Sequence, residues 1–209
     1  MTLEQLGWTQ DVAGAFSAQF GTDRLTSARV VRTSKHVYHV VSAEGRHVAR
    51  VSGGFRHAAD SQADYPAVGD WVGIKPRGDS GEMNIHGLVE RRSAISRQSI
   101  TGSGRGRKIE EQVLAANVDV AFLVAALDGE RGFNLRRLER YLTLARNGGV
   151  QPVVVLNKAD LSDRLEAAQA EAKGIAAGAR VYVVSAETGT GIDSLAAYVA
   201  PGRTLVLLG

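Results

Sequence analysis

Residues 152–160 read Pro-Val-Val-Val-Leu-Asn-Lys-Ala-Asp (PVVVLNKAD), an apolar run that breaks into polar side chains at Asn157. A strand that is apolar at every position is covered on both faces, which is the mark of a parallel sheet. The same pattern occurs upstream at residues 118–126 (VDVAFLVAA). Between the two runs, Asn134 stands where a helix cap belongs. It is followed by Leu135, Leu138, Tyr141, Leu142 and Ala145 at helical spacing. Arg136, Arg137 and Arg140 point to the opposite face, and Gly148 and Gly149 end the helix. Downstream, residues 163–176 read as a helix, with Asp163 and Glu166 at capping-box spacing. A strand at 181–184, a helix at 191–199 and a strand at 204–208 complete the series. This alternation predicts a parallel sheet with right-handed crossovers, whose ligands lie at the carboxyl ends of the strands.

The residues at those ends suit a guanine base. An Asp carboxylate accepts only, through two oxygens. Guanine presents N1–H and its 2-amino group side by side, so Asp160 can take both in a bidentate, charge-assisted pair. Adenine has an acceptor at N1 and no 2-amino group, so it would leave the carboxylate unpaired. The Lys158 stem can lie over the base, and the Asn157 amide can tie neighbouring loops together. The next strand runs into Ser185-Ala186-Glu187-Thr188-Gly189-Thr190-Gly191. In that loop the Ala186 N–H can meet guanine O6 and Ser185 can buttress Asp160. The candidate base-binding residues are therefore Asn157, Lys158, Ala159, Asp160, Ser185 and Ala186.

A nucleoside triphosphatase also needs a phosphate loop, G-x-x-x-x-G-K-[ST]. Residues 102–108 (GSGRGRK) are the nearest approach, with Arg107 at the second Gly and Ile109 at the Ser/Thr. Two D-x-x-G matches, at residues 11–14 and 70–73, fall in a helix and a barrel strand and read as coincidence. The stretch 204–209 (TLVLLG) is an apolar strand ending in Gly209, which is how a phosphate loop starts. On that reading base recognition precedes the phosphate loop in the chain, and the domain is circularly permuted. No catalytic residue and no metal ligand is expected within these residues.

The first half has a different period. Residues 30–33, 37–42, 47–52, 68–75 and 87–92 are short β-branched or aromatic runs separated by Gly, Pro, Asp and Ser, after a helix at about 11–20. Five strands in so short a span suit a small antiparallel barrel. An oligonucleotide-binding (OB) barrel is the leading reading, and an SH3-like barrel is the alternative that spacing also accommodates. All of the net charge of +3 comes from residues 1–112, which hold 15 Lys+Arg and 12 Asp+Glu. Residues 91–108 (RRSAISRQSITGSGRGRK) contain no acid and read as a flexible basic loop suited to tracking phosphates. Candidate RNA contacts are Lys35, Arg56, Arg91, Arg92, Arg97, Arg105, Arg107 and Lys108. The 0 Cys exclude disulfides and Cys-ligated zinc in this stretch. His36 and His39, three apart on a strand, face opposite ways and make no metal pair. No apolar run reaches the ~20 residues of a membrane span, and no secretory leader is evident, so a cytoplasmic protein is expected.

These segments resemble the ribosome small-subunit-dependent GTPase A family. The resemblance rests on residues 66–72 (PAVGDWV), 111–119 (EQVLAANVD), 134–145 (NLRRLERYLTLA), NKAD, SAETGTG and 201–209 (PGRTLVLLG), in that order and spacing. It implies β plus α/β architecture. An N-terminal five-stranded OB-type barrel with a basic linker would occupy residues 1–108. An incomplete circularly permuted P-loop GTPase α/β domain, holding the guanine-recognition part, would occupy residues 109–209. It also implies GTP hydrolysis stimulated by the small ribosomal subunit, contact with its rRNA, and a late role in its maturation by a monomeric factor. Mg2+ and Zn2+ belong to the intact family pattern, but this chain shows no ligands for them, and without a phosphate loop it is expected to be inactive alone. The competing reading is a non-enzymatic RNA-binding module whose α/β half is a docking surface.

Overall fold

The computed structural model describes residues 2–21, 24–78, 80–101, 108–129 and 133–209. They form two compact units, Met1–Asn117 and Val118–Gly209. In the first, helix α1 (Gln10–Phe20) precedes strands β1 (Thr26–Ser34), β2 (Val37–Ser42) and β3 (Gly45–Val51). A short helix α2 (Gly53–Ala58) leads to β4 (Trp71–Pro76) and β5 (Met83–Leu88). The barrel closes in the order β1-β2-β3-β5-β4, with β3 and β5 parallel and the other pairs antiparallel. That Greek-key order is the OB arrangement, which decides against the SH3-like alternative.

Strand alternation builds the barrel core. Ala28 and Val30, Tyr38 and Val40, Val72 and Ile74, and Met83 and Ile85 all turn inward at every second position. The fifth strand lies about four residues earlier than the expected 87–92, because Met83 and Ile85 carry the inward face. Residues 89–92 instead leave the barrel. Phe20 of α1 lies against Gly87 and Gly73, where a Cβ would come within 2.5 Å of its ring at Gly87 and 3.4 Å at Gly73. Trp8 stacks edge-on against Trp71 at 4.8 Å, over which the Arg29 guanidinium also sits at 5.4 Å. The N-terminal segment thus forms a second small core outside the barrel wall, with Val12 and Val89 buried in it.

Strands β6 (Ala94–Thr101) and β7 (Lys108–Ala116) pair as an antiparallel ribbon. This corrects the expectation of a flexible basic loop over 91–108. Burial of Ile95 and Ala116 at 0% anchors the base of the ribbon, and its register sets Gln98 and Ser99 opposite Glu111 and Glu110. Acids distant in sequence therefore face the acid-free stretch across the ladder. Residues 109–116, expected to open the second domain, belong by this pairing to the first unit.

The second unit contains β8 (Val120–Ala126), α3 (Leu135–Asn147), β9 (Gln151–Asn157), α4 (Leu165–Ala176), β10 (Arg180–Val183) and β11 (Leu205–Leu208). All four strands are parallel, in the order β10-β9-β8-β11. The last strand in the chain thus pairs with the first. Asp119 fastens this closure by accepting the Thr204 N–H at 2.7 Å. Asn134 caps α3 as its position predicts, accepting the Arg137 N–H at 3.0 Å. The capping box at Asp163 does not form. Helix α4 starts two residues later, with Arg164 at the cap position and no side-chain bond there. The expected helix at 191–199 is a 3-10 segment, Ile192–Tyr198, longer than the three or four residues usual for that form. Among the described residues, no helix is long and apolar enough to cross a membrane.

Candidate functional site

The parallel sheet brings the carboxyl ends of β8, β9, β10 and β11 to one edge. Asn157 closes β9, and its carbonyl accepts the Leu127 N–H at 2.8 Å, joining the ends of β9 and β8. Lys158 then takes a left-handed backbone, φ 64 and ψ 40, which turns the chain into a 3-10 segment, Ala159–Leu161. A non-glycine residue held in this conformation is a strained turn of the kind found at binding sites. The Ala159 N–H bonds Val184 O at 3.1 Å, which ties the turn to the end of β10.

Two side-chain bridges then join this turn to the 185–191 loop. Ser185 is 1% exposed. Its hydroxyl donates to Asp160 Oδ1 at 2.5 Å and accepts the Thr188 N–H at 3.1 Å. Asn157 Oδ1 accepts the Ala186 N–H at 3.0 Å. Ser185 therefore buttresses Asp160, and Asn157 links the loops, as their positions predict. The Ala186 N–H, expected to face a guanine O6, is bonded to Asn157 instead. Gly191 closes the loop at φ 75, where a Cβ would fall 2.5 Å from Val183 O, so only glycine fits.

Asp128 escaped the sequence reading. It accepts a hydrogen bond from the Lys158 ammonium, and that bond holds its carboxyl below the usual carboxylate range. The signal was available in the register. Ala126 pairs with Asn157, so residues just past each strand become neighbours. A cleft of about 730 Å3 opens beside Asp128, between Phe133 and Asn134 on one side and Leu161 and Arg164 on the other. It lies next to the Asp160 turn rather than over the Asp160 carboxylate. Gly209 follows β11 at the same sheet edge, beyond β8 from the 157–160 turn and the 185–191 loop, and its carbonyl accepts the Tyr141 hydroxyl at 3.4 Å.

The residues read as RNA contacts lie on several elements of the first unit. Lys35 is exposed in the left-handed turn between β1 and β2, Arg56 is exposed on α2, and Arg97 is exposed on β6 with Nε on Gln112 at 3.2 Å. Arg92 and Lys108 are also exposed. Arg105 and Arg107 lie outside the described residues. Arg91 turns inward, a correction to its expected exposure. Its Nε and NH2 bond both oxygens of Asp70 at 2.9 and 2.7 Å, and it also donates to Ala63 O at 2.6 Å and Tyr65 O at 2.9 Å. Asp70 is 0% exposed, so this pair serves the fold. Among the described residues, no three His, Asp or Glu side chains gather as a metal site would require.

Comparison with known proteins agrees with the architecture. A family model described as RsgA GTPase matches residues 88–209. A protein of Syntrophotalea carbinolica named small ribosomal subunit biogenesis GTPase RsgA is 41% identical over 213 residues, covering 100% of this chain and 57% of that protein. The protein of the same name from Opitutus terrae is 43% identical over 217 residues, again covering 100% and 57%. The chain thus spans little more than half the length of these curated relatives. The crystal structure of YjeQ from Thermotoga maritima superposes with a TM-score of 0.64 at 23% identity, over 88% of this chain and 60% of that one. That of YloQ, described as a circularly permuted GTPase, gives 0.58 at 23% identity, over 90% and 61%. Both share the fold. With the family match spanning more than half of its residues, the chain belongs to the RsgA GTPase family.

Proposed function

We propose that this chain carries the guanine-recognising side of a GTPase that acts in the cytoplasm on the small ribosomal subunit, late in its assembly, with its barrel against ribosomal RNA. One observation carries the base assignment: Asp160 is held by the buried Ser185 at the sheet edge, beside Asn157. Guanine N1–H and its 2-amino group would donate to the Asp160 carboxylate. Ser185 limits the rotation of that carboxylate, so less freedom is lost on binding. The Asn157 amide nitrogen faces the purine edge as a donor, while its oxygen keeps the Ala186 N–H. The Lys158 stem covers the base, with its ammonium anchored on Asp128.

Phosphates would extend along the sheet edge toward Gly209. Phosphoryl transfer depends on a phosphate loop that positions and neutralises the triphosphate. These 209 residues contain no G-x-x-x-x-G-K-[ST], so hydrolysis is expected only from a chain that supplies one. RNA contact is assigned to Lys35, Arg56, Arg92, Arg97 and Lys108, and to Arg105 and Arg107, which lie outside the described residues. The names of the relatives support the small subunit as the target.

The test is a change of base. In a version extended through a phosphate loop, Asp160→Asn should weaken GTP at least tenfold, since each charge-assisted bond lost is worth about 1.5–3 kcal/mol. It should also admit xanthosine triphosphate, whose 2-oxo group accepts from the new amide. An unchanged preference for GTP in competition binding would sink the assignment.

A further inference from the structure

We propose that the outer face of α3, through Arg136, Arg137 and Arg140, is a second contact for RNA backbone. It lies in the same unit as the NKxD turn and apart from the barrel. Helical spacing turns Leu138, Leu142 and Ala145 into the core. That leaves Arg136, Arg137 and Arg140 exposed on the other side. Arg136 and Arg140 stand one turn apart, about 6 Å between Cβ atoms. Among the described residues, no ion pair reaches any of the three. The helix has one acid, Glu139, also exposed. Arg146 is different, since it is spent on the carbonyls of Ala176 at 2.5 Å and Ala177 at 3.1 Å.

Two features argue that these cations serve a ligand. The first turn of α3 holds no acid but two arginines, although the helix dipole favours acids there and disfavours cations. The arrangement weakens the helix that bears it. The exposed face of α3 itself carries no large apolar side chain, although the exposed Leu161 shares a cleft with Arg136. A protein partner would want an aromatic or aliphatic centre to its interface. Bare guanidinium forks suit phosphate, which they grip in a bidentate manner in wet, charged interfaces. Arg136 also lines the cleft that includes Leu161, next to Asp160. RNA on this face would therefore lie beside the loop that reads the base. The choice of RNA rests on the reading proposed above, whereas the site itself does not require guanine binding.

The experiment uses the whole 209-residue chain, a fluorescein-labelled RNA hairpin and purified small subunits, with affinity measured across a salt series. Replacing the three arginines together with Gln should flatten log affinity against log salt by about 2–3, at roughly 0.7–0.9 per lost contact. The matching Lys variant should keep the slope. Gln is a good helix former, and circular dichroism checks that α3 survives. If the triple variant does not fold, Arg137→Gln alone should still flatten the slope by about 0.7–0.9. An unchanged slope and affinity in the Gln variants, with native binding intact, overturns this inference and leaves the barrel assignment standing. Absence of native RNA binding overturns both. Polyglutamate is measured alongside, and loss of its binding in the Gln variants with RNA binding untouched overturns the inference too and marks the face as a site for acidic protein.

Discussion

Replacing Arg91 with Met separates a cation that builds the barrel from one that meets a ligand. Asp70 is fully buried, and Arg91 supplies bonds to both of its oxygens at 2.7–2.9 Å. The third bond to that carboxylate is the Ala67 N–H at 2.7 Å. Met keeps the length of the stem but leaves a buried charge with one backbone donor. Removing one partner of such a pair costs about 3–5 kcal/mol. The carbonyls of Ala63 and Tyr65 lose their donor as well, which loosens the segment before β4. For a unit of this size the Tm should fall by about 10–30 °C. The assay is unusually clean, because the chain has 2 Trp, Trp8 and Trp71, and both lie in the first unit. Urea or thermal unfolding followed by Trp emission therefore reports that unit alone. Adding Asp70→Asn to Arg91→Met should recover part of the loss, since the orphaned charge is then gone. Arg97→Gln, on the exposed ribbon, should change the midpoint by less than about 0.5 kcal/mol. An Arg91→Met chain that unfolds like the native one, yet binds RNA with a flatter salt slope, would refute the reasoning and restore Arg91 as an RNA contact.

Two further outcomes are expected. Gly87→Ala sets a methyl within 2.5 Å of the Phe20 ring and should push α1 off the barrel, destabilising the first unit by about 1–3 kcal/mol. Trp8 emission should shift to the red at once, and an unshifted, equally stable variant would show that α1 is not held there. The second concerns pH. The folded value of Asp128 is depressed by the Lys158 hydrogen bond, so the contribution of the pair is present above the unfolded value of 3.8. It is lost as pH falls through the lower folded value. Carboxyl NMR should show Asp128 titrating below 3.8, and Lys158→Ala should return it to the ordinary range. No upward movement in that variant would remove Asp128 from the site.

Much of the second unit was legible because its strands are buried on both faces. Residues 152–156 and 118–126 carry no competing polar period, so each announces a parallel strand and the polar residues at its end announce a site. Ser185 on Asp160 and Asn157 on the Ala186 loop both follow from that placement. Asp128 did not, because its role depends on which strands are neighbours, and that is set by pairing rather than by local pattern. The ribbon of β6 and β7 hid for a related reason. Its residues are polar on both faces, and the acids opposite Gln98 and Ser99 lie in the partner strand. Arg91 read as one more cation of a basic run, since nothing near it in sequence shows that Asp70, twenty-one residues back, is buried. The fifth barrel strand was displaced because Met83 and Ile85, its inward residues, are spaced by polar ones.

The pairing of β11 with β8 also governs the order in which the second unit can be made. Lys158 and Asp128, bridging β9 and β8, are 30 residues apart, whereas Asp119 and Thr204, bridging β8 and β11, are 85 apart. Closing the longer loop costs about 0.9 kcal/mol more, at roughly 0.6 kcal/mol per doubling of length. During synthesis, β8, β9 and β10 emerge from the ribosome, with the 157–160 turn and then the 185–191 loop, before β11 emerges, and domains form as their segments appear. The Asn157–Asp160 turn and the loop after β10 can thus be shaped while the strand leading to Gly209 is still inside the ribosome. In a chain order that put that strand first, its end of the sheet edge would have the head start instead.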